Sequence, residues 1–82
     1  MTPLRQKSPH AVVAFDTMSD AMAFESASKL YGIPGRVIPV PSEVDAGCGM
    51  SWSAPVDQRG DLEAAIEEHG LANAGIHVVN LY

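Results

Sequence analysis

The hydrophobic and polar positions of the chain form two helical patterns and four short apolar runs, which predict two helices and four strands. Residues 10–16 form a continuous run of Ala, Val and Phe that ends at polar residues, which predicts a strand covered on at least one face. From residue 18 to 31 the apolar positions recur at spacings of three and four, which predicts a helix. Thr17 with Asp20 approximates its capping box. After a turn with Asp57 available as a cap, a second helix is predicted to end at residue 69.

Three more strands are predicted at residues 35–41, 50–54 and 75–82. Pro39 and Pro41 remove two ladder donors from the second strand, which restricts that strand to a sheet edge. In the third strand, Met50 and Trp52 share one face, and Trp52 is expected in the core. Each helix is followed by a glycine and an aliphatic residue, at Gly32-Ile33 and Gly70-Leu71, which is a typical C-terminal stop.

The element order is strand, helix, strand, strand, helix, strand, and it predicts an α+β fold. Two split βαβ units packed together give a ferredoxin-like βαββαβ sandwich, a four-stranded antiparallel sheet with two helices on one face and strands one and three in the centre. Residues 1–9 show no periodic pattern and are interpreted as a flexible tail, and residues 10–82 as a single domain. The first strand is apolar on both faces, so a homodimer formed through the open sheet face is one hypothesis.

Charge and hydropathy exclude several classes of function. Five basic against ten acidic residues give a formal charge of −5, and the chain has no basic stripe, so nucleic acid is not an expected partner. The longest apolar run, residues 11–15, is far shorter than the roughly 20 residues that cross a bilayer. Residues 1–10 also lack the apolar stretch of a secretory signal. We therefore expect a cytoplasmic protein without membrane contacts.

Cys48 is the only cysteine, and it lies between Gly47 and Gly49. Glycine neighbours permit positive φ angles and close approach by another molecule, which favours a reactive thiol. The alternative is an inert thiol packed in the core, since free cysteine is often buried. With no second cysteine, an internal disulfide and a CxxC-type redox cycle are excluded.

No residue pattern predicts a metal, a cofactor or a hydrolytic site. The three histidines, at positions 10, 69 and 77, lack the spacing of structural zinc sites. Ser51 and Ser53 lie on a predicted strand without a nucleophile elbow. Arg36 and Arg59 are candidate cations for stabilising a thiolate, but sequence distance places neither beside Cys48, and the favoured interpretation of each is a solvated surface charge.

The residues from Ile33 to Pro41, with the sequence Ile-Pro-Gly-Arg-Val-Ile-Pro-Val-Pro, are followed at short distance by Gly-Cys-Gly-Met at 47–50. This arrangement resembles the small bacterial family of selenium/sulfur carrier-like proteins, and the likeness extends over most of the chain. The resemblance implies a carrier that holds sulfur or selenium on Cys48 as a persulfide or selenosulfide. The other positions of interest are loop or activation candidates without a derived role: Arg36, Pro39, Pro41, Gly47 and Gly49.

The partners implied by the resemblance are a donor such as a cysteine desulfurase and an acceptor protein. Such a protein is a carrier, or is sulfurtransferase-like, rather than an enzyme that turns over by itself. The resemblance does not distinguish sulfur from selenium. Two alternatives stay open from the residues alone: a ferredoxin-like ligand-binding or protein-interaction module with a structural cysteine, and a thiol that senses oxidants.

Overall fold

The computed structural model describes residues 8–42, 44 and 49–81. This part of the chain forms four strands and two α-helices, in the predicted order. A short 3-10 turn, Val56–Gln58, precedes the second helix. The elements in chain order are β1 (Ser8–Ala14), α1 (Met18–Tyr31), β2 (Arg36–Pro39), β3 (Met50–Pro55), α2 (Arg59–His69) and β4 (Ile76–Leu81).

The four strands form one antiparallel sheet in the order β2-β3-β1-β4. This order, with β1 and β3 in the centre and two helices in the chain, is that of the ferredoxin-like fold and confirms the predicted α+β class. β2 lies at the edge of the sheet, as the prolines predicted. Pro39, the last residue of β2, is paired with Met50 of β3.

The strand ends differ from the predicted ones. β1 begins at Ser8 instead of residue 10, because Ser8 and Pro9 pair with Leu81 and Asn80 of β4. β2 ends at Pro39 instead of residue 41, and a turn that starts at Pro41 follows, closed by the hydrogen bond from the Val44 N–H to the Pro41 carbonyl. Residues 1–7 of the predicted tail lie outside the described residues, so the tail stays a prediction.

Local signals fix the helix ends. The Thr17 hydroxyl accepts a hydrogen bond of 3.1 Å from the Asp20 N–H, which confirms the predicted N-cap of α1. Gly32 and Gly70 adopt left-handed conformations, with φ of 69° and 61°, and end the two helices as predicted. The expected Asp57 cap is wrong: Asp57 belongs to the 3-10 turn, and Gln58 precedes α2 without a side-chain cap bond.

The main core lies between the sheet and the helices. Three aromatic rings form its centre, with ring centroids 5.4 Å apart for Phe15 and Phe24 and 5.2 Å apart for Phe24 and Trp52. Trp52 is buried, as predicted. The other buried members of this cluster are aliphatic: Ala11, Val13, Ala21, Ala27, Ile33, Ala54 and Leu62.

A second, smaller core covers part of the opposite sheet face. Val12 and Ala14 of β1 have no exposed surface, and they cluster with Val79 of β4 and with Val44 from the β2–β3 connection. The chain therefore covers the centre of this face itself, which removes much of the reason for proposing a homodimer there. Within the described residues, no helix is long and apolar enough to span a membrane.

Candidate functional site

The predicted site residues Cys48 and Gly47 lie outside the described residues, as do the neighbouring acidic residues Glu43 and Asp45. The structure does describe both flanks of this segment. On one side is Val44 and on the other is Gly49, which directly follows the cysteine. The geometry of these two flanks defines what the fold contributes to the candidate site.

Gly49 joins the cysteine segment to the sheet. Its carbonyl oxygen accepts a hydrogen bond of 3.0 Å from the Val40 N–H, next to the pairing of Pro39 with Met50. Gly49 is exposed and has φ of 78°, a conformation that residues other than glycine rarely adopt. The residue that follows Cys48 in the chain therefore has a left-handed conformation and makes a hydrogen bond between the β2 side and the β3 side of the connection.

Val44 joins the other flank to the sheet. Its side chain is 4% exposed and belongs to the small core with Val12 and Ala14, and its N–H donates to the Pro41 carbonyl at 3.0 Å. Burial of a valine side chain contributes about 1.5 to 3 kcal/mol. The three residues before Cys48 and the cysteine itself thus lie between two anchors, an apolar one at Val44 and a hydrogen-bonded one at Gly49.

The structure does not bring the candidate cations to these flanks. Arg59 is paired with Glu63 across one turn of α2, with 2.8 Å between Nε and Oε1, and both side chains are about half exposed. Arg36 lies opposite Ser53, three residues along β3 from Met50, or about 10 Å at the usual rise of a strand. For Arg59, the surface-charge interpretation agrees with the contact that the structure shows.

The histidines have separate surroundings. The His10 Nδ1 lies 2.8 Å from the Ser8 carbonyl oxygen, and the imidazole of His69 stacks on the Tyr31 ring at 3.7 Å with an interplanar angle of 7°. His69 is the last residue of α2, where the helix dipole favours it. His77 is exposed on β4. Among the described residues, no three metal-ligating side chains come together.

Sequence reasoning missed the contact between the Pro34-Gly35 segment and β3. The buried Trp52 donates its Nε1–H to the Pro34 carbonyl at 2.7 Å. A Cβ at Gly35 would meet the Ser53 carbonyl and would lie 2.5 Å from the Trp52 Nε1. The available signal was that a buried tryptophan requires an acceptor for its indole N–H.

Ser51 and Ser53 lie on the sheet face opposite the helices, as their alternation with Trp52 predicted, but both are buried. The Ser51 Oγ is enclosed and has no hydrogen-bond partner among the described residues. An enclosed hydroxyl without a partner costs free energy. Its burial follows from the second core, which the sequence pattern did not predict.

No curated protein and no solved structure was found to match this chain. One family model does match, over residues 10–78, which extend from β1 into β4 and include Cys48. That family is described as "Putative Se/S carrier protein-like".

Proposed function

The chain belongs to the Putative Se/S carrier protein-like family, and from this premise we propose that Cys48 carries a sulfur or selenium atom from a donor protein to an acceptor protein. The family match is the observation that carries the proposal. The single cysteine of the chain supports it, because no other side chain here can hold a sulfane sulfur in a covalent bond.

Loading is a thiol exchange reaction. The Cys48 thiolate attacks the terminal sulfur of a donor persulfide, a new S–S bond forms on Cys48, and the S–S bond of the donor breaks. The donor cysteine leaves as a thiolate, so no external oxidant or reductant is consumed. A selenium atom carried by the donor as a selenosulfide would be transferred by the same attack.

Unloading reverses the roles. A nucleophile on the acceptor attacks the terminal atom held on Cys48, and the Cys48 thiolate leaves. Because the chain has one cysteine, no second thiol within it can displace the cargo as hydrogen sulfide or selenide. The cargo therefore remains on the carrier until another molecule attacks, which is the property that a carrier needs.

The described flanks support access for such partners. Gly49 is exposed, and among the described residues other than its chain neighbours no atom lies within 4 Å of a Cβ built on it. No described residue therefore blocks the approach of a second protein to Gly49, the residue that follows the cysteine. The bond between the Val40 N–H and the Gly49 carbonyl, 3.0 Å long, holds the base of the segment on the sheet during such an encounter.

The test is to incubate the reduced protein with a cysteine desulfurase and cysteine and to measure the intact mass. We expect an adduct of one sulfur atom that disappears on treatment with a thiol reductant and is absent from Cys48→Ser. A parallel incubation with a selenocysteine lyase and selenocysteine tests selenium. Loading by one donor and not by the other identifies the cargo.

A matched control separates specific transfer from sulfide released into solution. The double variant Cys48→Ser with Ser26→Cys keeps one thiol but moves it to an exposed position on α1. Specific transfer requires this variant to load at least about tenfold more slowly than the natural protein. Equal loading of both, or no adduct on a Cys48 thiol that iodoacetamide alkylates readily, would contradict the carrier proposal. It would leave the interaction module as the better interpretation.

A further inference from the structure

A second concave site lies on the sheet face opposite the helices. It is a cavity of about 360 Å³ at the edge of the sheet, within the size range of small-molecule sites. Its lining combines three polar side chains with apolar ones: His10, Arg36, Ser53, Ile38, Pro55 and Leu81. We call it the sheet-face pocket.

The charge of this pocket is opposite to that of the protein. Its described lining includes Arg36 and no Asp or Glu, in a chain with a formal charge of −5. Another cavity of similar size, about 390 Å³ beside α2, has Asp61 and Glu68 in its lining. A cation without neighbouring carboxylates in an acidic protein favours anions at that position.

The guanidinium of Arg36 is available for a ligand. Within the described part of the chain, no carboxylate lies within salt-bridge distance of Arg36, whereas Arg59 is paired with Glu63 at 2.8 Å. An arginine can bind a carboxylate through two parallel N–H···O bonds. Among the described residues, no carboxylate occupies these donors of Arg36, which lines a partly apolar cavity.

The strand register brings the polar residues to one side of the pocket. Arg36 is paired with Ser53 across β2 and β3, and His10 is paired with Pro55 across β3 and β1. Arg36 and His10 are therefore two strands and two residues apart on the same face. At about 4.8 Å per strand and 3.4 Å per residue, their Cα atoms are separated by about 12 Å. That distance leaves space for a small ligand between the two side chains.

We propose that the sheet-face pocket binds a small organic carboxylate. The carboxylate lies against Arg36 and the Ser53 hydroxyl, and the hydrocarbon part lies against Ile38, Pro55 and Leu81. The apolar lining favours an acid with a short aliphatic tail over a bare inorganic anion, because the tail gains hydrophobic contact. This site does not depend on the carrier function, because Ser53 is about 10 Å along β3 from Met50.

The probe is 4-methylpentanoate, and its matched control is the uncharged 4-methylpentanamide. Each is titrated into the full chain labelled with ¹⁵N, and amide chemical shifts are followed. We expect 4-methylpentanoate to shift the signals of His10, Arg36, Ser53 and Leu81 most. The amide should bind roughly five- to tenfold more weakly, because it lacks the charge that Arg36 recognises.

Two exposed arginines provide matched variants. Arg36→Gln should weaken 4-methylpentanoate binding roughly five- to tenfold, whereas Arg59→Gln, which removes the same charge from α2, should change it less than about twofold. Arg36→Lys keeps the charge but loses the two-bond geometry and should give an intermediate affinity. Spectra of the free variants report whether each one is folded.

Four results would overturn the proposal. Equal binding of the acid and its amide would show that the negative charge of the ligand does not contribute to binding. Equal effects of Arg36→Gln and Arg59→Gln would show that the ligand does not bind in the sheet-face pocket. If sulfate bound as tightly as the organic acid, the aliphatic tail of the acid would contribute nothing to the affinity. Tighter binding of a tetrapeptide ending in leucine with a free carboxylate would assign the pocket to the C-terminus of a partner protein instead of to a small molecule.

Discussion

Replacement of Gly35 by alanine tests the contact that joins β2 to the centre of the sheet. A Cβ at this position would be closer to the Ser53 carbonyl than real Cβ atoms come to any neighbour, and it would lie 2.5 Å from the Trp52 Nε1. Gly35 also has φ of 111°, in a region that L-residues rarely adopt. Neither neighbour can move easily, because one is strand backbone and the other is a buried indole.

The cost of Gly35→Ala has two parts. Backbone strain at a strongly positive φ costs about 1 to 2 kcal/mol. Relief of the clash requires β2 to move away from Trp52, which lengthens the 2.7 Å bond to the Pro34 carbonyl and leaves a buried N–H unpaired, at about 1 to 3 kcal/mol. We therefore expect a loss of about 2 to 5 kcal/mol. A domain of this size has a total free energy of unfolding of about 4 to 12 kcal/mol.

Gly49→Ala is the matched control. Gly49 has a positive φ of 78°, but a Cβ there would meet no described residue within 4 Å. Only the backbone strain applies, so we expect a loss of about 1 to 2 kcal/mol. Both alanines reduce the entropy of the unfolded chain by similar amounts, so this contribution cancels in the comparison.

The assay is urea unfolding followed by far-UV circular dichroism and by the fluorescence of Trp52, the only tryptophan. Coincident transitions by the two probes indicate that unfolding is two-state. A stability of Gly35→Ala equal to or above that of Gly49→Ala would refute the reasoning. It would mean that the approach of Gly35 to Ser53 and Trp52 does not require a glycine.

Three further substitutions have expected effects on the free energy of unfolding. Ser51→Ala removes a buried hydroxyl that has no partner among the described residues, and it should leave stability unchanged or raise it by up to about 1 kcal/mol; a loss above about 1 kcal/mol in urea unfolding would reveal a hydrogen bond. Trp52→Phe removes the donor to Pro34 and part of the core volume, and should cost about 2 to 4 kcal/mol by the same assay. Thr17→Ala removes the cap contact with the Asp20 N–H and should lower the thermal midpoint by an amount equivalent to about 1 kcal/mol. An unchanged thermal midpoint would show that the cap does not stabilise the protein.

The elements could be predicted from the sequence because their signals are local. Thr17 and Gly32 mark the ends of α1 within the chain itself, and the structure confirms both. The edge position of β2 also followed from a local property, the missing N–H of Pro39. Once these elements are in order, few arrangements of the sheet remain.

The second core could not be predicted, because it depends on a contact between distant parts of the chain. In the sequence, Ser51 and Ser53 are polar and the first strand is apolar on both faces, and this pattern does not identify what covers Val12 and Ala14. In the structure, Val44 packs on these two β1 residues, and it comes from a connection without periodic pattern. A loop residue that folds back onto a sheet has no signature in hydrophobic spacing.

The residue types of the candidate site could be predicted from the sequence, but the surroundings of these residues could not. Cys48 and its glycines are evident in the sequence, and the resemblance to a carrier family is confirmed by the family match. The surroundings of Arg36 depend on the pairing register of β2 with β3, and those of Arg59 depend on which face of α2 it occupies. The structure pairs Arg59 with Glu63 and places Arg36 at the sheet-face pocket.

The two cores also bear on the homodimer hypothesis. A stable interface buries about 800 Å² on each partner, with an apolar centre. On the sheet face opposite the helices, Val44 already covers Val12 and Ala14, so the apolar centre that a dimer would need is occupied by the chain itself. Beside this centre lies the sheet-face pocket, whose described lining includes the charged side chain of Arg36. The structure therefore gives no support for a homodimer formed through the centre of this face.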